Sequence, residues 1–80
     1  MYRIKVIIDN AHYDSEVFSQ LSQCGFVIYW QNIYTGEFNY AIRHGDMYLY
    51  RAICIYNEKH YPADAIEMLE RKGLSFELSV

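Results

Sequence analysis

Met47-Tyr48-Leu49-Tyr50-Arg51-Ala52-Ile53-Cys54-Ile55-Tyr56 decides how this chain is to be read. The run is rich in β-branched and aromatic residues, so it is expected to form a long strand whose side chains alternate between two faces. One face would carry Met47, Leu49, Arg51, Ile53 and Ile55, and the other Tyr48, Tyr50, Ala52, Cys54 and Tyr56. Both sets are too apolar for an open water-facing surface. The strand therefore belongs inside a sheet, and part of that sheet is expected to meet something.

Towards the N-terminus, His44-Gly45-Asp46 reads as a tight turn, and Glu37 to Arg43 alternates as another strand. Thr35-Gly36 turns the chain again, and Phe26 to Tyr34 reads as a third run of strand chemistry. Loops this short favour an antiparallel meander. Before it, Asp14 or Ser15 can cap a helix with Glu16 in its first turn, Val17, Phe18, Leu21 and Cys24 at helical spacing, and Gly25 as its stop. Asn10 to Tyr13 is expected to turn. Tyr2, Ile4, Val6 and Ile8 alternate with Arg3, Lys5 and Asp9, the period of a half-buried first strand.

Towards the C-terminus, Asn57 to His60 is polar and Pro62 suits the first turn of a helix. Ala65, Ile66 and Leu69 form its inner stripe, with Met68 at the border and Gly73 at the end. Asp64 and Glu67 near the start, with Arg71 and Lys72 near the end, complement the helix dipole. Leu74, Phe76, Leu78 and Val80 then alternate as a last strand. The order β-α-β-β-β-α-β gives an α+β fold with a five-stranded, mainly antiparallel sheet and both helices on one face. In element order it resembles a ferredoxin-like split βαβ arrangement with one strand added in the middle.

The 80 residues are expected to form a single compact domain over 1–80. At 52% hydrophobic and 21% charged, the composition is that of a globular chain rather than a disordered one. No apolar run reaches the roughly 20 residues that cross a bilayer. The apolar N-terminal stretch is too short for a signal peptide. Cys24 and Cys54 form no C-x-x-C pair, so both read as reduced core thiols in a cytoplasmic protein. The net charge of −3 leaves no cluster of Lys and Arg suited to a phosphate backbone, which disfavours direct nucleic-acid binding.

His12, His44 and His60 fall in expected turns without zinc-ligand spacing. His12-Tyr13-Asp14 and Cys54 give no specific catalytic pattern, and a thiol inside a strand is inert as a rule. The glycines stand singly, so no phosphate-cradling loop is present and no cofactor or metal is expected. Gly36-Glu37-Phe38-Asn39-Tyr40-Ala41-Ile42 is similar to a degraded RNP1 strand of an RNA recognition module, which would make Phe38 and Tyr40 base-stacking residues. It departs from that motif by lacking a basic residue before Gly36 and by placing Glu37 within it.

Nine tyrosines are the unusual feature. Rigid aromatic rings contribute contact area at low entropic cost, so the expected role is a non-enzymatic protein-binding module, an inhibitor or adaptor. Tyr29, Tyr34, Tyr48, Tyr50 and Tyr56, with Glu37 and Asp46, are the expected partner-binding residues. The partner would be a larger protein or complex, one with a basic, nucleic-acid-binding surface for the acids to meet. In size and composition the chain is similar to the compact inhibitors of phages and mobile elements, anti-CRISPR proteins among them. A homodimer through the open sheet face, a ligand-sensing dimer and an RNA-binding domain are the alternatives.

Overall fold

The computed structural model describes residues 1–9 and 13–80; Asn10, Ala11 and His12 of the expected first turn lie outside the described residues. Strand β1 covers Tyr2–Ile8, helix α1 Ser15–Gln23, β2 Val27–Asn32, β3 Phe38–Asn39, β4 Tyr50–Glu58, helix α2 Ala63–Arg71 and β5 Glu77–Ser79. The five strands form one sheet in the order β3-β2-β4-β1-β5, and every neighbouring pair is antiparallel. The architecture is α+β, and its strand order and two helices are compatible with a ferredoxin-like fold carrying one extra edge strand.

Alternation along β1 and β4 sets the layers. Ile4, Val6 and Ile8 are buried opposite Tyr56, Cys54 and Ala52, and beneath Val17 and Leu21 of α1 and Ala65, Ile66, Met68 and Leu69 of α2. Full burial of aliphatic side chains such as these contributes about 1.5–3 kcal/mol each. Met68, expected at the border of the stripe, is 2% exposed and belongs to the core. Small Ala52 and Cys54 sit at the middle of this covered face, where two helices must approach the sheet closely.

Helix α1 is capped and both helices are closed as the sequence suggests. Pro62, expected in the first turn of α2, instead precedes that helix, which starts at Ala63 without a side-chain cap. Asp14 caps α1, its Oδ1 accepting from the Glu16 N–H at 2.9 Å. At the other end the Phe26 N–H donates to the Leu21 carbonyl at 2.9 Å and the Gly25 N–H to Ser22 at 3.1 Å. Leu74 to Leu69 and Gly73 to Glu70 repeat this paired closure at the end of α2. Both closures need a residue at positive φ, which is why glycine stands at 25 and 73.

The middle of the chain departs from the expected meander. Strand β2 pairs with β3 on one side and with β4 on the other, and β3 and β4 are not neighbours. Of the expected strand 37–43 only Phe38 and Asn39 pair. Residues His44–Leu49 form a 3-10 helix, so the long strand starts at Tyr50 rather than Met47. The side chain of Asn32 ends β2 short of the expected Tyr34: its Oδ1 accepts from the Tyr34 and Thr35 N–H groups at 2.8 and 3.0 Å and folds the chain into a compact turn. The 3-10 helix then carries the chain back across the end of β2, where the Ile33 N–H donates to the Leu49 carbonyl at 2.9 Å.

Candidate interaction face

With both helices on one side, no described helix covers the other side of the sheet, and strand register fixes what it displays. Val27, Ile55, Lys5 and Glu77 lie in one row across β2, β4, β1 and β5. Tyr29, Ile53 and Ile7 form the adjoining row. Phe38, Gln31 and Arg51 form a third, and Asn57, Arg3 and Ser79 a fourth at the opposite end. The middle of this face is thus an apolar belt of branched aliphatic side chains with an aromatic corner. Ile7 is 46% exposed and Val27 47%, whereas Ile8, one residue along on the covered face, is 3%.

The aromatic corner has a shape of its own. Tyr40 leans on Tyr29 with ring centroids 5.3 Å apart, and both, with Phe38, Asn39, Ile53, Ile55 and Lys5, line a groove of about 500 Å³. Lys5 also borders the hollow beside Arg3 and Glu77 and a third beside Ile7 and Phe76. Lys5 is thus shared by three depressions of the surface.

Charge is divided between the layers. Arg3, Lys5 and Arg51 occupy strand positions of the open face, with Glu77 as the acid among those positions. Asp14, Glu16, Asp64, Glu67 and Glu70 are carried by the helices and their caps, with Arg71 and Lys72. Among the described residues the ion pairs are Lys72 with Asp14 at 3.2 Å and with Glu16 at 3.6 Å, both on the helix side. The Lys72 hydrogen bond, with help from the Glu16 N–H, holds the Asp14 carboxyl below its usual value, and that same contact raises Lys72. Arg51 Nε is shielded from solvent without a hydrogen-bond partner, the one such side-chain nitrogen or oxygen among the described residues.

The residues expected to bind a partner do not gather on this face. Tyr29 lies on it; Tyr34 and Glu37 stand exposed in the turn after β2, and Asp46 and Tyr48 belong to the 3-10 helix. Tyr50 and Tyr56 share the covered side of β4 with Ala52 and Cys54, so the tyrosine-bearing side of the strand is the buried one. Tyr56 is 3% exposed; its hydroxyl donates to the His60 carbonyl at 2.6 Å and its ring packs 5.0 Å from Phe26. Desolvation, and then the charges of Glu58 and Cys24, raise its phenol above the usual value. Ile7, Ile53, Ile55, Arg3, Lys5 and Arg51 were not singled out by the sequence, although Ala52 and Cys54 held the clue, since small residues mark the side that helices press upon.

Phe38 and Tyr40 reach the open face at the short edge strand and just beyond it, and central β4 and β1 present Ile53, Ile55 and Ile7 there. Cys54 is fully buried, and burial pushes its thiol up to about 12, which keeps it protonated. Cys24, His60, Tyr61 and Asp64 border a separate hollow between the end of α1 and the start of α2. Among the described residues no three His, Cys, Asp or Glu side chains are grouped to hold a metal ion, and no helix is long and apolar enough to cross a membrane. Comparison with protein-family models, curated proteins and solved structures finds no match.

Proposed function

We propose that this chain is a non-enzymatic protein-binding module, an inhibitor or adaptor that docks on a larger protein through its open sheet face. The uncovered apolar belt carries the reading. Strand spacing and rise give that belt a footprint on the order of 400 Å². A typical stable complex buries about 800 Å² on each partner, so the belt supplies the apolar centre and the surrounding polar and charged residues the rim.

The test is affinity capture from nuclease-treated lysate, read by mass spectrometry, with wild type, Ile7→Asp, Ile53→Asp and the helix-side variant Glu67→Lys. The expected result is one stoichiometric partner kept by Glu67→Lys and lost by both open-face variants, each shown to be folded by circular dichroism. Capture that is the same for all four proteins, or that disappears with nuclease, overturns the reading.

A further inference from the structure

We infer that the segment seated on the open face is an extended, acidic stretch of protein, with an apolar or aromatic residue anchored between carboxylates; this rests on the docking reading above. The charges of the face point there. A chain of net charge −3 displays Arg3, Lys5 and Arg51 on this side against Glu77, and none of the three cations has an ion-pair partner among the described residues. Arg51 adds a second sign, because its shielded Nε has no hydrogen-bond partner among the described residues. Arg51 as a whole is half-buried, so a carboxylate docked against the part of the side chain that solvent still reaches would give this cation a charge-assisted partner.

Position supplies the rest. Arg51 and Lys5 stand two side-chain rows apart on adjacent strands, about 14 Å by strand spacing and rise, with Ile53 and the aromatic groove between them. Carboxylates about four residues apart in an extended segment span that distance, and the side chain midway between them falls over the groove. Its walls, Tyr29, Phe38, Tyr40, Ile53 and Ile55, suit a Phe, Leu or Trp anchor.

The other occupants fit less well. Stacked bases need aromatic platforms along the strand path, whereas the central strands offer isoleucine, and three cations are few for a phosphate backbone. A second copy packed face to face about a two-fold axis would set the same three cations against themselves.

A display library of random 12-residue peptides, panned on the wild-type chain with Ile53→Asp as counter-target, tests this. Enriched peptides are expected to flank an apolar anchor with Asp or Glu, and to bind Arg3→Glu/Lys5→Glu/Arg51→Glu at least tenfold more weakly than wild type. The double variant Arg3→Glu/Lys5→Glu, altered at exposed positions alone, serves if the triple variant fails to fold. Neutral or basic peptides that the charge variants still bind, but Ile53→Asp does not, overturn the acidic-segment inference and leave the docking face standing. Peptides bound equally by Ile53→Asp, or no enrichment over it, overturn both. Salt-sensitive binding of an eight-nucleotide oligouridine lost in the charge variants assigns the face to nucleic acid instead. A dimer by light scattering that Ile53→Asp dissociates assigns it to a second copy; either result overturns the inference.

Discussion

Cys24 and Cys54 are one functional group in two solvents. Cys24 is half-buried at the end of α1, and Cys54 is fully enclosed beneath the helices. Ellman's reagent should therefore titrate one thiol in the native protein and the second only in denaturant; equal native rates would contradict the enclosure of Cys54. The same burial makes stability depend on alkaline pH. With the folded thiol at about 12 against a usual 9.0, Cys54 is protonated in both states below pH 9 and contributes no slope there. Between those values only the unfolded chain releases the proton, so stability falls by about 1.4 kcal/mol per pH unit from this group. Melting curves from pH 8 to 11 should show a shallower decline for Cys54→Ala than for wild type. Tyr56 presents a second residue-scale case. Tyr56→Phe keeps the ring against Phe26 and removes the 2.6 Å bond to the His60 carbonyl, a loss of about 1 kcal/mol in urea unfolding. An unchanged midpoint would show that this bond contributes nothing.

At the scale of elements, Asp14 ties two helices together, capping α1 through Oδ1 and holding Lys72, at the end of α2, through Oδ2. Asp14→Ala is expected to lower the melting temperature at neutral pH. The folded carboxyl titrates below its usual 3.8, so its stabilisation is present above that value and is lost as pH falls through the folded one. Wild type and Asp14→Ala should accordingly converge in acid, and a gap that stays constant down to pH 2 would refute the ion pair. β1, α1 and α2 were legible in the sequence because each has one way to bury its apolar residues: every second residue in β1, a single stripe in each helix. Residues 33–49 were not, since Phe38, Tyr40, Met47, Tyr48 and Leu49 are apolar without being buried in a strand, so their alternation marks no covered face. This excursion is held to the sheet by a two-residue strand and is exposed from Ile33 to Ala41. Brief chymotrypsin treatment should cut first after Tyr34, Phe38 or Tyr40; first cleavage in α1 or β4 would contradict the weak attachment.

For the whole molecule, the governing fact is a two-layer fold whose sheet is apolar on both sides but covered on one. Sequence alone left open which side of β4 is buried, because Ile53 and Ile55 read as no less apolar than Ala52, Cys54 and Tyr56. On β4 the difference is one of shape rather than hydrophobicity: small Ala52 and Cys54 lie under the helices and branched Ile53 and Ile55 on the open side. Neighbouring β1 supplies the bulk of the covered face with Ile4, Val6 and Ile8. β1 offers a direct comparison, since Ile7 and Ile8 are the same residue, adjacent in one strand, at 46% and 3% exposure. Ile8→Ala removes core volume under the helices and should cost about 2–5 kcal/mol. Ile7→Ala, on the open face, should cost less than about 1 kcal/mol in the isolated chain, because a side chain 46% exposed already faces water and its truncation leaves no enclosed cavity. The order should reverse for docking, with Ile7→Ala weakening partner capture and Ile8→Ala sparing it wherever the chain remains folded. Equal costs of the two substitutions in urea unfolding, with a midpoint that depends on protein concentration, would mean that a second copy already covers the open face in solution. Equal costs with no concentration dependence would mean that both sides of β1 are buried within one chain, and the separation into a folding face and a docking face would fall.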